Sequence, residues 1–409
     1  MGENRNFYFV IMRFIVLVFS LLLASCSDAV RTAYDSEEYE LYYNFLLLKA
    51  YFYKPERINR FSEYEGMEVD DMYRSLEDYF RGNRYTFYLP PANADDKISQ
   101  IENTPKYYSF GFEREVIDDT LVVSQVYPIS PAADAGLKKH DKLLFANGVS
   151  LTGANAALYK NSDSLFATST TFIILSGEEI FMEKAEVQQP TVYLDSSNGI
   201  PVITVTRYAP KTNNPSGTYA EFKKILQEVK SAPTVIMDLR NNGGGSIGHC
   251  TAMAAELVPY GSELIFDVGH YYDPEIGNVI DTTHVFVSDY LTSEGDGVGI
   301  NWIIQINEWT ASCAERFTAA VKYNRPETVV VGQTSHGKGI GQMYAKTHLG
   351  GLAYITCMQS YYPNGETFHG VGIVPDIPEM PILTKKLPKQ KAEPTEFGMY
   401  KYHSFHQWK

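Results

Sequence analysis

Positive charge is in short supply in this 409-residue chain: 35 lysines and arginines stand against 49 aspartates and glutamates, a formal net charge of −14. That balance argues against a nucleic-acid partner, which needs a basic face to meet phosphate. Cysteine is scarce too, at four. None has metal-like spacing to another, so neither a disulfide framework nor a structural metal site is expected, and no cofactor is called for. The apolar run from Phe14 to Leu23 is too short to span a bilayer as a stable helix. Gly243-Gly244-Gly245 stands ahead of a helical pattern but lacks the Lys-Ser/Thr that completes a phosphate-binding Walker loop. An oxyanion donor and a simple tight turn are the readings left for it.

What is present fits an exported globular protein. Apolar content of 44% and charged content of 21% are ordinary, and the length allows two or three domains. Arg5 and Arg13 precede the short apolar run, and Leu23-Ala24-Ser25-Cys26 follows it, so residues 1–25 read as a secretory signal. The cysteine after small residues resembles a bacterial lipoprotein box, which would make Cys26 the acylated first residue. A plain signal with an incidental cysteine is the alternative. A lipid anchor implies a place in the cell envelope, on a membrane. Ser27 after the cysteine, by resemblance to enterobacterial sorting, points to the outer membrane. Cys250, Cys313 and Cys357 have apolar, small neighbours and read as buried thiols.

The rest divides by pattern. After a tether, residues up to 106 read as a helical segment: Leu41, Phe45, Leu48 and Phe52 make one stripe over Glu37 to Tyr53, and a second helix is predicted from Met67 to Phe80. Residues 107–187 read as a small sheet module, with strands at Leu121-Val122-Val123 and Lys142 to Phe145. From Thr191 strands and helices alternate, implying an α/β core. Pro201 to Val205 and Thr234 to Leu239 are strands, Ser216 to Val229 is an amphipathic helix, and Gly243-Gly244-Gly245 opens another. Residues 381–409, rich in lysine and proline, read as a disordered tail.

The chemistry gathers between Asn307 and Gln342. Ser312 stands just before a helical pattern, and Lys338 sits between Gly337 and Gly339 after the run Thr328 to Val331. A serine hydroxyl is a poor nucleophile until a base takes its proton. A lysine amine is such a base only when neutral, which needs its ordinary pKa of about 10.4 to fall by roughly 3 units. A helix start beside the serine would offer N–H groups to an oxyanion. The plainer readings are that Ser312-x-x-Glu315 is only a capping box and that Gly337-Lys338-Gly339 is only an exposed turn.

Several ordered motifs together resemble the carboxyl-terminal processing peptidases, the tail-specific serine proteases with a Ser–Lys dyad. They are Thr310-Ala311-Ser312-Cys313-Ala314-Glu315, then Val330-Val331-Gly332 leading to Gly337-Lys338-Gly339 and Gln342, Val235 to Gly245, Ser130 to Leu137 with Asp141 to Leu144, and Gly370 to Asp376. The resemblance covers residues 67 to 380. It implies a multi-domain α/β protein with a spiral crotonase-like protease core at 191–380, a PDZ module at 107–187 and an N-terminal helical segment. It implies Ser312 as nucleophile, Lys338 as base and then acid, Gln342 as the group orienting Lys338, and the backbone N–H groups of Gly244 and Cys313 as oxyanion donors. Phe110-Gly111-Phe112 would then hold a substrate's C-terminal carboxylate, and the partners would be proteins or peptides with free C-termini. One departure is visible: Ser335-His336 fills a place where relatives have a shorter, more apolar stretch, so the loop is expected to sit differently.

Three other readings compete. The chain is an inactive peptide-docking scaffold; or Ser312 works with a histidine through His336; or Cys313 is a thiol nucleophile served by His249, His336 or His369.

Overall fold

A computed structural model describes residues 36–160, 162–273, 278–287 and 293–378. The expected signal, Cys26 and the lysine- and proline-rich tail lie outside the described residues. The chain divides into two units, each assembled from stretches far apart in sequence.

The first unit comprises the chain up to Asp95, Gly269–Thr282 and Gln342–Met358. Its helix Glu37–Tyr51 starts at Ser36, whose side chain accepts from the Tyr39 N–H, and carries three glutamates in the first turn, where the helix dipole favours them. Leu41, Phe45, Leu48 and Phe52 bury the expected stripe with Tyr64, Met72, Tyr73, Ala353 and Ile355. The predicted helix from Met67 to Phe80 is helical only over Val69–Ser75. Glu77 at φ +49° stops it, and Tyr79–Phe80 then pairs with Asn83–Arg84 across Arg81 and Gly82, both at positive φ. A two-residue loop of that hand matches strand twist, so local turn chemistry prevails over the helical pattern. Phe87–Leu89 pairs with Leu352, Ala353 and Tyr354. The helix Pro91–Glu102, opened by a proline in its first position, has no counterpart in the sequence reading.

The second unit holds two hydrophobic cores. The first belongs to the 107–187 module. Strands β1 (Phe112–Ile117), β2 (Thr120–Val126), β3 (Lys142–Ala146), β4 (Ser169–Ile174) and β5 (Glu179–Glu183) form a sheet of order β5-β4-β3-β2-β1, which leaves β1 on an edge. Phe110, Phe112, Phe166 and Phe172 pack together at its centre. Gly111 is at φ +78°, and a Cβ there would fall 2.2 Å from the Ser130 Cβ, so no larger residue fits.

The larger core builds the site. Strands β6 (Val192–Ser197), β7 (Ile200–Val205), β8 (Thr234–Asp238), β9 (Asn301–Ile306), β10 (Val329–Gly332) and β11 (Ile377–Pro378) lie side by side in sequence order. After the β6–β7 hairpin every pairing is parallel, with Ile203 beside Met237, Met237 beside Ile304 and Ile304 beside Val330. The helices α1 (Gly217–Val229), α2 (Ile247–Ala255) and α3 (Cys313–Asn324) fill the crossovers. Right-handed crossovers that always advance in one direction put their helices on one face. Here α2 packs against both α1 and α3. The centre of β8 is buried throughout, which is why Val235, Ile236 and Met237 are apolar in succession.

Candidate active site

Loops leave the carboxyl ends of β8, β9 and β10, the edge where parallel sheets gather ligands. They carry residues 239–246, 307–312 and 333–339, and main-chain hydrogen bonds sew them together. The Ala311 N–H donates to Asn242 O at 2.9 Å, and the His336 N–H donates to Thr310 O at 2.9 Å. Residues 370–373 clamp the third loop from the other side. The Gly370 N–H donates to Gly337 O at 2.8 Å, and the Ile373 N–H donates to Ser335 Oγ at 2.6 Å. Gly332 makes the turn into that loop at φ +121°, where a Cβ would fall 2.0 Å from Ile306 O.

This framework brings Ser312 and Lys338 to one cavity of about 20 Å³, lined also by Ile247, Cys313, Arg316, Ile340, Gly341, Ser360 and Phe368. A space of that size holds about one water. Ser312 is half-buried at the head of α3, with φ +54° and ψ −118°. A non-glycine residue in that region is strained, and such strain gathers at functional sites. Lys338 is 2% exposed, so the plain reading of Gly337-Lys338-Gly339 as an exposed turn is corrected: clamping by 370–373 packs it inward. No histidine lines the cavity.

Glu315 is the residue that ties the two together. It is 0% exposed, and its carboxylate accepts from the Ser312 N–H at 2.8 Å and the Lys338 N–H at 2.8 Å, the second 23 residues away. It accepts also from the Gly337 N–H and the Ser335 hydroxyl. Burial pushes its pKa up to about 7, although these four donors pull it down. Ser335, where the sequence departs from the resembled pattern, is thus part of the frame: it hydrogen-bonds Glu315 and Ile373.

The expected oxyanion donors stand unequally. Cys313 opens α3, whose first N–H groups have no carbonyl within the helix. The Gly244 N–H is committed to Asn242 Oδ1 at 2.8 Å, with Gly244 at φ +101°. Gln342 lies on the strand Ile340–Lys346, half-buried, in the first unit. Phe110 and Phe112 are core side chains of the module, so only the backbone of that segment is open to a ligand role. The Gly111 N–H donates to Ser109 Oγ at 3.2 Å. Among the cysteines, Cys250 and Cys313 are buried as expected, whereas Cys357 is half-exposed. Cys313 Sγ donates to Gly245 O at 3.1 Å.

Sequence reasoning missed a buried polar cluster behind the serine. Arg316, one turn after Ser312, bonds Asp267 Oδ1 at 2.6 Å and Ser360 Oγ at 3.0 Å through Nη1. Ser360 Oγ also donates to Asp267 Oδ1 at 2.6 Å. Nothing in the sequence links these three positions. The reach of Glu315 had half a signal, its place in Ser312-x-x-Glu315.

Residues 199–379, which include Ser312, Glu315 and Lys338, match the sequence pattern of peptidase family S41. The chain carries a peptidase family S41 domain. It is similar to the "Probable CtpA-like serine protease" of Staphylococcus aureus strain MRSA252, 25% identical over 337 residues that cover 81% of this chain and 62% of the relative. The protein of the same description from Staphylococcus haemolyticus strain JCSC1435 is 23% identical over 394 residues, covering 92% of this chain and 74% of its own length. The chain therefore spans less than two thirds of the S. aureus relative. A solved structure of a candidate S41 protease from Bacteroides fragilis NCTC 9343 superposes with a TM-score of 0.51 at 12% identity, over 82% of this chain and 89% of that one. That likeness establishes a shared mixed α/β fold around the S41 domain.

Proposed function

We propose that the chain is a serine endopeptidase in which Ser312 is the nucleophile and Lys338 the base. One observation carries the reading: a strained serine and a buried lysine share one cavity, and a single buried carboxylate holds the backbone of both. The descriptions of the staphylococcal relatives support it. Ser312 Oγ attacks the peptide carbonyl while Lys338 takes its proton. Lys338 then hands that proton to the leaving amine, and water releases the acyl group by the same route in reverse. The Cys313 N–H faces the developing oxyanion. Gly244 joins it once the 243–245 segment turns its N–H away from Asn242.

The substrates are proteins or peptides. We place recognition of their free C-termini in the 107–187 module, as in a PDZ domain. Its edge strand β1 accepts an extended peptide as an added strand, and the turn at Phe110-Gly111-Phe112 presents backbone N–H groups to a carboxylate once the Gly111 N–H leaves Ser109 Oγ. A peptide substrate should be cut faster than its C-terminally amidated twin; equal rates would assign the module a purely structural part.

The first test is a fluorophosphonate probe on the full chain, read by mass spectrometry. Ser312 should be labelled in the wild type and not in Lys338→Arg, because guanidinium cannot accept the proton. Labelling that survives in a folded Lys338→Arg would move the base elsewhere. A wild type that stays unlabelled would favour the docking scaffold, for which the engaged Gly244 N–H is the one supporting feature.

A further inference from the structure

A lysine base must be neutral, and the residues around Lys338 pull in opposite directions. Glu315, from α3, accepts the Lys338 N–H, and as a carboxylate it favours the ammonium. His369 receives the Gly339 N–H on its Nδ1 at 3.3 Å, and His336 precedes Lys338 in its own loop. The thiol of Cys313 lies in the same cavity wall, and Cys250 lies behind it. The fixed cation in that wall is Arg316, 4% exposed. A guanidinium this deep requires support, and Asp267, 1% exposed, supplies it through a bond of 2.6 Å. Asp267 does not line the cavity; Arg316 does. Of the pair, then, it is the cation that shares a cavity wall with Lys338. A short chain of contacts fixes this orientation: Arg316 Nη1 bonds Ser360 Oγ, and the Ser360 N–H donates to Gly339 O at 2.9 Å, directly beside Lys338.

We propose that Arg316 is a positioning residue for the reaction: held by Asp267 and Ser360, its buried charge disfavours the ammonium form of Lys338 and so keeps the base ready. This rests on the Ser–Lys reading above. A like charge within a few ångströms in a low-dielectric site moves an amine by about 1 to 3 pH units. Asp267 tempers that effect, so the two side chains should act with opposite sign. A purely structural ion pair would give both removals the same sign.

The test is the rate of fluorophosphonate labelling of Ser312 against pH, from about pH 5 to about pH 10, on the full chain. Arg316→Met should move the midpoint of the rise to higher pH by about one unit, about tenfold slower labelling near pH 7. Asp267→Asn should move it to lower pH. Arg316→Lys, which keeps a cation, should return the midpoint toward the wild type. Glu315, His336 and His369 are unchanged in all three, so their contributions are common to every curve. Coincident midpoints in folded variants, or shifts of the same sign for Arg316→Met and Asp267→Asn, would overturn the proposal. Should Arg316→Met fail to fold, Asp267→Asn decides: a midpoint unmoved or moved upward overturns it. Such a result would leave the dyad standing if Lys338→Arg still abolishes labelling, whereas an unlabelled wild type would remove both.

Discussion

At the scale of single residues, Glu315 has the most to explain. A carboxyl with no exposure ionises reluctantly, and burial raises its pKa from 4.5 to about 7 in the folded chain. The unfolded chain releases that proton near the ordinary value of about 4.3. A folded-state pKa raised above the unfolded one contributes stability that is full below the unfolded value and is lost as pH rises through the folded one. Between about pH 4.5 and about pH 7 the protein should therefore lose about 3 kcal/mol relative to Glu315→Gln, an order-of-magnitude figure. Urea unfolding of both at several pH values, on a Ser312→Ala background to prevent self-digestion, measures the difference. A gap that does not change with pH would mean that Glu315 is not the titrating group. The sequence displayed this residue only as half of a capping box. The Ser312–Glu315 contact is local and follows from helix geometry. The contacts to Gly337 and Lys338 cross 22 and 23 residues, and no local rule encodes them. Ser312 and Lys338 were legible for a different reason: each sits in a dense motif of small residues whose resemblance singled them out. Arg316 had neither a motif nor a local partner, because Asp267 and Ser360 reach it only through the fold.

At the scale of elements, what could be read were the strands and helices whose apolar periodicity is undisturbed. Predicted Pro201 to Val205, Ser216 to Val229 and Thr234 to Leu239 became Ile200–Val205, Gly217–Val229 and Thr234–Asp238. The failure at Met67 to Phe80 came from turn residues, Glu77, Arg81 and Gly82, that a helical pattern does not reveal. The junctions between elements are where glycine is needed most. Gly245 stands at φ +138°, and a Cβ there would fall 2.1 Å from Tyr208 O. That carbonyl accepts the Ser246 N–H at 2.7 Å, just ahead of α2. Gly245→Ala should cost about 3 kcal/mol or more, from a strained φ together with displaced backbone. It should also slow labelling of Ser312, because Gly245 O holds Cys313 Sγ. Gly248→Ala, which meets nothing nearer than 3.9 Å, is the control: thermal melts should separate the two. Equal melting temperatures would contradict the close approach.

At the scale of the whole molecule, the sequence suggested an N-terminal helical segment that ends before residue 107. The structure shows instead a unit built from three separate stretches. Ala353 and Ile355, from the last of these, complete the core that begins at Leu41. A chain beginning at residue 96 would leave that strand with its apolar face uncovered and without its Phe87–Leu89 partner. We expect such a truncation to lose cooperative unfolding or to aggregate, as size-exclusion chromatography and a thermal melt would show. A soluble, cooperatively melting product would mean that the first stretch is dispensable.

The sheet of the S41 domain grows strictly in the order in which its residues are numbered. A ribosome releases the chain in that same order, so each parallel strand emerges to find its neighbour already made. The helix that Ser312 heads follows β9, and the Lys338 loop follows β10, yet the clamp formed by Gly370 and Ile373 emerges after both. During synthesis the Ser312 and Lys338 loops thus exist, joined through Glu315 and the Thr310 carbonyl, before the 370–373 clamp can close on them. If the proposed activity holds, a nascent chain is thereby a harmless one: the Ser312–Lys338 pocket is complete only once nearly the whole of the domain has left the tunnel.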